Sequence, residues 1–203
     1  MESENLQDFL GESEVINYRG AAVATKIGEI QAAAPTIEAQ AALAFDYTRD
    51  QIRHSFDTHD LIVTVSAPEV LSAGTGICFA KAHLLAALFR GLGIPTGFCY
   101  QRVMRQGTPE SGFALHGLSA AYFRSVGWVR LDPRGNRTGI YSAFNLREEQ
   151  LAYTIHPVLG EVDYPYVYRS PLPSVLHAME ESRDTRELFY LRPGRIEETE
   201  VLI

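Results

Sequence analysis

Residues 74–82 read GTGICFAKA, a glycine-rich turn that runs directly into a predicted helix. From Ile77 to Arg90 apolar side chains recur at helical spacing, and the glycines and the proline of residues 91–95 end the pattern. Cys78 is therefore predicted to lie in the first helical turn. Unpaired backbone N–H groups and the positive end of the helix dipole favour the thiolate there, and the thiolate attacks carbonyl carbon. Cys78 is the candidate nucleophile.

Strands are predicted after this helix. Residues 97–105 and 113–124 alternate like strands, and a tight turn at residues 125–127 leads to a third strand, 128–132, which ends at a proline. His116 and Asp132 lie 16 residues apart on neighbouring strands, so period-two alternation can place both side chains on one face. A histidine near Cys78 would take the thiol proton, and a carboxylate would orient the ring and stabilise the imidazolium.

Motifs of a known family occupy the same part of the chain. They are residues 76–95 around the cysteine, His116, the segment GWVRLDP at 127–133, and FDYTRDQIR at 45–53. Together they resemble the core of the transglutaminase-like superfamily. The resemblance implies a papain-like α+β fold in which the cysteine helix packs on an antiparallel β-sheet. It also implies a triad of Cys78 as nucleophile, His116 as general base and acid, and Asp132 as orienting carboxylate.

Two features of the site stay open at this point. Many members of the superfamily have an aromatic residue shortly after the histidine, whereas this chain has Gly117-Leu118, so the wall of the substrate groove is not predicted. The backbone N–H of Cys78 is the expected first oxyanion donor. The second donor is expected either from a side chain in residues 54–60 or from the region of Gln101, and spacing does not choose between them.

The composition is that of a globular protein: 203 residues, 46% hydrophobic, 21% charged, with a net charge of −7. The negative charge argues against general binding to nucleic acid or anionic membranes. No apolar run approaches the roughly 18 residues of a membrane span, and the N-terminal residues show no secretory signal, so we expect a cytoplasmic protein. Cys78 and Cys99 are both expected to be reduced, with Cys99 in the core. The histidines lack metal-ligand spacing, and no metal or cofactor is expected.

We predict a helical extension over residues 1–35, a transglutaminase-like core over 36–136, and a C-terminal extension over 137–203 that packs on the core. Helices are expected over 20–34, from Thr36 as cap to about residue 53, and over 174–181. The second helix should bury one face, and that face is formed by Ile37, Ala41, Ala44, Thr48 and Ile52. Residues 61–65 have the composition of a short strand, and residues 68–76 are expected to form a loop. The tyrosine-rich residues 164–168 either cover the sheet or line a groove.

These features favour an enzyme that forms a thioester between Cys78 and an amide substrate, either a peptide bond or a glutamine side chain of a peptide or protein. The acyl group then passes to water, as in a peptidase or amidase, or to an amine, as in a transglutaminase. We expect hydrolysis, because the chain shows no obvious calcium-binding loop or additional β-domains. Alternatives are a non-catalytic binding module that keeps the fold, and acyl transfer of the arylamine N-acetyltransferase type. The latter requires a coenzyme A pocket, for which no phosphate-cradling motif is visible.

Overall fold

The structure is a computed structural model and describes residues 1–202. Its α-helices are α1 (Ala21–Ala33), α2 (Ile37–Asp50), α3 (Ser55–Thr58), α4 (Ala67–Ala73), α5 (Cys78–Gly91), α6 (Pro173–Glu181) and α7 (Thr185–Leu191). Its strands are β1 (Arg53–His54), β2 (Thr75–Gly76), β3 (Thr96–Met104), β4 (Phe113–Phe123), β5 (Gly127–Leu131) and β6 (Val162–Asp163). Short 3₁₀ turns occur at Leu6–Leu10, Pro109–Ser111, Pro157–Leu159 and Glu198–Glu200.

The main sheet is antiparallel and has the strand order β5-β4-β3-β6. The predicted strands over residues 97–105, 113–124 and 128–132 are confirmed to within one residue at each end. In the register of β3 and β4, Gln101 lies opposite His116 and Tyr100 lies opposite Gly117. A separate parallel pair joins β1 to β2 and places His54 opposite Gly76, two residues before the cysteine helix.

Helix α5 runs through the centre of the molecule, and every residue from Cys78 to Arg90 is buried. Phe79 packs against Tyr100 of β3 with ring centroids 6.2 Å apart, and it also fills the space above Gly117 of β4. Burial on all faces explains why the helix is apolar nearly all round rather than along one stripe. The predicted α+β fold, with the cysteine helix packed on an antiparallel sheet, is confirmed.

Two charged residues inside this buried helix bind backbone carbonyl groups. Lys81 Nζ donates to the carbonyl of Arg49, at 3.0 Å, and to the carbonyl of Ile52. Arg90 donates to the carbonyls of Thr96 and Gly11, among others. Burial lowers the pKa of Lys81 to about 7, so it is the hydrogen bonds of its amine that tie the end of α2 to the cysteine helix.

Residues 68–76 do not form the predicted loop, because most of them belong to α4. Ser66 caps this helix and accepts from the backbone N–H of Glu69, whose side chain reaches back to the cap. Gly74 ends it with a φ of 63°, in the left-handed region. A Ser-x-x-Glu capping box and a C-terminal glycine are helix signals, and they outweigh the turn tendency of Pro68 in the first turn.

Two further predictions are corrected. Residues 61–65 form an extended loop without strand pairing, and Leu61 and Ile62 are exposed. The second helix is capped by Thr36 as predicted but ends at Asp50, since Arg53 and His54 pair with β2 instead. Ile37, placed on its buried face, is 38% exposed, and Phe45 takes its place in the core. Ile52 is buried beyond the end of the helix.

The C-terminal residues wrap around the sheet. β6 extends it at the free edge of β3, Tyr168 forms a bridge to Phe98, and α6 begins at Pro173, one residue before the predicted start. The tyrosine-rich segment therefore covers the sheet edge. The division at residues 35 and 136 stays a prediction, although Ile16, Leu85 and Val175, one from each proposed segment, share one hydrophobic core. Among residues 1–202, none of the helices combines the length and apolar character of a membrane span.

Candidate active site

Cys78 is the first residue of α5 and follows the extended residue Ile77. The chain just before Cys78 packs closely against the helix, since a Cβ atom on Gly76 would lie 2.8 Å from the Cβ of Ala80. Ile77 provides no side-chain cap, and N–H groups of a first helical turn have no acceptor within the helix. The backbone N–H of Cys78 is thus placed beside its own sulfur and can serve a developing negative charge.

His116 and Asp132 lie on the same face of the sheet, as their spacing predicts. His116 Nε2 donates a 2.8 Å hydrogen bond to Oδ2 of Asp132, and both side chains are buried. The carboxylate also accepts from the backbone N–H groups of Arg134, at 3.1 Å, and Ala152, at 3.0 Å. These bonds fix the carboxylate and through it the imidazole ring. Nδ1 is then the ring atom left for Cys78.

Cys78 and His116 shift each other's pKa. Burial disfavours the thiolate, but the charge of His116 and a hydrogen bond with its ring outweigh that penalty, so the pKa of the Cys78 thiol is lowered. Burial also disfavours the imidazolium, yet the charges of Asp132 and Cys78 raise the pKa of His116 well above its ordinary value. Both directions favour a thiolate and imidazolium pair near neutral pH.

Strand β5 pairs with only part of β4, and Cys78 lies at the edge of β4 that β5 leaves unpaired. The pairing of these strands stops at Ser119 opposite Leu131. Beyond it, the backbone N–H of Gly117 donates a hydrogen bond to the Cys78 sulfur, which also lowers the pKa of the thiol. Two residues earlier on β4, the backbone N–H of Leu115 donates to the carbonyl of Pro193 at 2.7 Å. Strand β4 therefore holds the sulfur in place with its backbone.

A cavity of about 220 Å³ opens over Cys78 and His116. Its walls come from the segment around β1 and α3, from the sheet, from the residues after β5, and from α7 and the residue after it. The other lining residues are His54, Phe56, Asp57, Val103, Arg105, Arg134, Arg137, Tyr153, Phe189 and Arg192. The Tyr153 ring packs edge-on against the imidazole of His116, with centroids 4.8 Å apart.

The two regions expected to supply a second oxyanion donor differ in position. His54 lines the cavity, and its burial, reinforced by the nearby Arg134 charge, holds its pKa well below the ordinary value. The ring is therefore neutral and carries one N–H donor. Gln101 lies opposite His116 in the pairing of β3 with β4, but it is not among the described residues that line the cavity. His54 is the better placed of the two.

The sequence analysis did not single out the arginines or the C-terminal wall of this cavity. Arg134 donates two hydrogen bonds, of 2.6 and 2.8 Å, to Asp57 and so ties the residues after β5 to α3. Its position directly after Asp132-Pro133 was a usable signal. Phe189 and Arg192 come from α7 and its C-terminal cap, and no local pattern connects that helix with Cys78.

Cys99 has a different environment from Cys78. It lies in a small second core with Leu118 and Ala120, and burial raises the pKa of its thiol to about 12. Both thiols are free. Within residues 1–202, no group of three His, Cys, Asp or Glu side chains is arranged to hold a metal ion.

Comparison with known proteins agrees with the resemblance read from the motifs. The model of the family described as the Transglutaminase-like superfamily matches residues 24–133, more than half of the chain. The chain belongs to the transglutaminase-like superfamily. This match includes Cys78, His116 and Asp132. A search of curated proteins found no match.

Two solved structures are similar to this superfamily member at low sequence identity. A putative cysteine protease from Cytophaga hutchinsonii superposes with a TM-score of 0.53 at 17% identity, over 65% of this chain and 43% of that one. The periplasmic domain of TgpA from Pseudomonas aeruginosa gives a TM-score of 0.47 at 16% identity, over 65% and 48% of the two chains. The chain thus spans less than half the length of these two structures. The first of them supports the papain-like fold.

Proposed function

We propose that this protein is a cysteine-dependent enzyme that transfers the acyl group of an amide substrate, with Cys78 as the nucleophile. The observation that carries the proposal is that Cys78 and His116 line one cavity and shift each other's pKa, while His116 forms a 2.8 Å hydrogen bond to Asp132. The cavity above these residues gives a substrate carbonyl access to the sulfur. The lowered pKa of Cys78 and the raised pKa of His116 support this assignment of roles.

In the first half of the proposed reaction, the thiolate of Cys78 attacks the amide carbon and the carbonyl electrons move onto oxygen. The backbone N–H of Cys78 and the neutral ring of His54 would donate hydrogen bonds to this oxyanion. The oxyanion then collapses, the carbon–nitrogen bond breaks, and His116 gives its proton to the leaving amine. A thioester remains on Cys78, and His116 is left neutral.

In the second half, His116 takes a proton from the incoming nucleophile, which attacks the thioester, and Cys78 leaves as the thiolate. Asp132 stabilises the imidazolium each time it forms. Water as nucleophile gives hydrolysis of a peptide or side-chain amide, and an amine gives transamidation. We favour hydrolysis, because the cavity of about 220 Å³ lies below the roughly 300–1,000 Å³ of ordinary ligand sites and leaves little room for a second bulky reactant.

The proposal is tested with a peptide library incubated with and without a fluorescent primary amine. Mass spectrometry reads cleaved peptides, amine-linked peptides and acyl adducts on Cys78. Hydrolysis predicts cleaved products in excess over amine-linked ones, and an adduct that disappears in Cys78→Ala. Full turnover by both Cys78→Ala and His116→Ala would refute the mechanism.

The same measurements separate the alternatives. A Cys78 thiol that reacts with iodoacetamide no faster than a cysteine peptide would favour the binding module. Acetylation of Cys78 by acetyl coenzyme A, without turnover of any peptide, would favour acyl transfer of the arylamine N-acetyltransferase type.

A further inference from the structure

We propose that Arg192 forms an anion-binding subsite inside the Cys78 cavity, so that the preferred substrate carries a carboxylate within about one residue of the scissile amide. This inference rests on the proposed function of Cys78 and names the substrate class of the same site. It is drawn from the balance of charges in the cavity and from the way Arg192 is held.

The cavity contains more positive than negative side chains. Four arginines line it: Arg105, Arg134, Arg137 and Arg192. Asp57 forms ion pairs with two of them, Arg134 at 2.6 Å and Arg137 at 3.2 Å. The carboxylate of Asp132 already accepts hydrogen bonds from His116 and from two backbone N–H groups. Within residues 1–202, neither Arg105 nor Arg192 forms an ion pair with a carboxylate.

The two remaining arginines differ in how their donors are used. Arg105 donates to the backbone carbonyls of Phe189 and of Arg192, the latter at 3.0 Å, so it holds the end of α7 against the sheet. The guanidinium of Arg192 packs against two rings that also contact each other, Phe56 at 4.7 Å and Phe189 at 4.9 Å. Its donor contacts to the Phe189 carbonyl are long, at 3.5 Å. A guanidinium has five N–H donors, so most of those on Arg192 are unused.

An unpaired cation in this position favours binding of an anion. Arg192 is only 9% exposed and, within residues 1–202, pairs with no carboxylate, so the thiolate of Cys78 is the anion that it meets in the cavity. A buried cation with so few partners is stabilised when a carboxylate binds. The fork of a guanidinium matches a carboxylate with two parallel hydrogen bonds. Contact with the rings of Phe56 and Phe189 restricts the side chain, so little conformational entropy is lost when the carboxylate binds.

The position of Arg192 fixes where the carboxylate must lie in the substrate. Its charge acts directly on the thiol of Cys78, and both side chains line the same small cavity. At about 220 Å³ the cavity is smaller than the roughly 300–1,000 Å³ of ordinary ligand sites, so a group bound at Arg192 lies close to the sulfur. The protein as a whole carries a net charge of −7, so the positive cavity also concentrates anions at this one place on an acidic surface.

The first experiment needs no knowledge of the substrate. Iodoacetate and iodoacetamide have nearly the same size and alkylate a thiolate in the same way, but only iodoacetate is an anion. We measure both alkylation rates for the intact protein and for a cysteine peptide, at low and high salt. The ratio of the iodoacetate rate to the iodoacetamide rate should be about tenfold higher for Cys78 than for the peptide, and added salt should reduce it.

Arg192→Met keeps most of the packing against the two rings and should return the ratio to the peptide value, whereas Arg192→Lys should retain much of the higher ratio. Arg183→Met is the matched control, because Arg183 is 87% exposed and pairs with Glu187, and it should leave the ratio unchanged. Thermal unfolding of each variant checks that the fold is retained. A peptide-like ratio in the unmodified protein, or an unchanged ratio in Arg192→Met, overturns the subsite.

Peptide substrates then identify the source of the carboxylate. Pairs that differ only as Asp or Asn beside the scissile amide test a side-chain carboxylate, and pairs with a free or amidated C-terminus test a terminal one. Preference for either carboxylate supports the subsite, and Arg192→Met should remove it. Turnover of all peptides at equal rates overturns the subsite but leaves the proposed function intact, whereas no alkylation of Cys78 and no turnover would end the proposed function itself.

Discussion

A Cβ atom on Gly117 would lie 2.5 Å from Cδ1 of Phe79. Phe79 follows Cys78 and Gly117 follows His116, so this contact fixes how closely the cysteine helix approaches the histidine strand. The sequence departs here from the aromatic residue that many superfamily members have after the histidine. In this chain the aromatic side chain that fills the space comes from the helix instead.

Gly117→Ala is therefore expected to push α5 away from β4. Overpacking of this kind destabilises a protein by about 1–3 kcal/mol, and the wider gap should slow alkylation of Cys78. Urea denaturation and iodoacetamide kinetics measure the two effects. Gly28→Ala is the control, since a Cβ there has no neighbour within 4 Å and replaces a glycine inside α1. Equal stability of the two variants would contradict the packing argument.

Alkylation at neutral pH should modify one of the two cysteines. The pKa of the Cys78 thiol is lowered, whereas burial raises the pKa of Cys99 to about 12, so the thiolate of Cys78 forms far more readily. Peptide mapping after iodoacetamide treatment at pH 7 should find the label on Cys78, in Cys99→Ala as well. In His116→Ala the pH midpoint of the reaction should move upward, because the positive charge that favours the thiolate is gone. An unchanged midpoint would mean that His116 does not activate the thiol.

Asp132→Asn removes the charge that raises the pKa of His116 while keeping the side-chain shape. The pKa of His116 should fall, which NMR titration of the imidazole detects, and kcat/KM should fall by about 10²–10⁴. Asp163→Asn serves as the control, since Asp163 pairs with Arg130 at the surface of the sheet. A His116 pKa that is the same in Asp132→Asn and in the unmodified protein would rule out the orienting role of Asp132.

His54→Ala separates oxyanion stabilisation from thiol activation. Loss of one oxyanion donor lowers kcat by about 10²–10³, whereas alkylation by iodoacetamide forms no oxyanion and should proceed at nearly the same rate. His59→Asn is the comparison, because His59 lies outside the cavity and its φ of 59° suits asparagine. Equal losses in turnover and in alkylation would indicate instead that His54 supports Cys78 structurally.

The buried side chain of His83 makes the free energy of unfolding fall as the solution becomes acidic. Nδ1 of His83 lies 2.7 Å from the carbonyl of Val65, and burial lowers the pKa of the ring to about 4. The unfolded state binds a proton near pH 6.5 and the folded state does not, so stability is lost as the pH falls from about 6.5 to about 4. The loss amounts to about 3 kcal/mol.

Denaturation curves of the unmodified protein and of His83→Gln across this pH range isolate the effect. The buried His54 contributes in the same direction in both proteins, so only the difference between their pH slopes reports His83. Parallel curves would show that His83 is not the titrating group.

The sequence correctly predicted those helices and strands in which apolar residues recur with a clear period. Helix α5 and strands β3 to β5 follow their apolar patterns closely. The alternation of side chains along the strands brings His116 and Asp132 to the same face of the sheet. The apolar run at 61–65 was misleading, because β-branched residues fit an extended loop as well as a strand when no partner strand is near. Helix α4 was missed although its capping box was readable at Ser66 and Glu69. Arg192 could not be found from sequence, since only tertiary packing brings α7 to the cysteine.

Burial of α5 on all sides constrains which substitutions this scaffold can accept. A change of side chain between Cys78 and Arg90 disturbs the core whichever way it points. The wall contributed by Phe189 and Arg192 belongs to α7 and its cap, and its replacement keeps Cys78, His116 and Asp132 on their own elements, although loss of Arg192 removes one of the charges that lower the pKa of the thiol. New substrate preferences are therefore expected to evolve, or to be engineered, through the C-terminal wall.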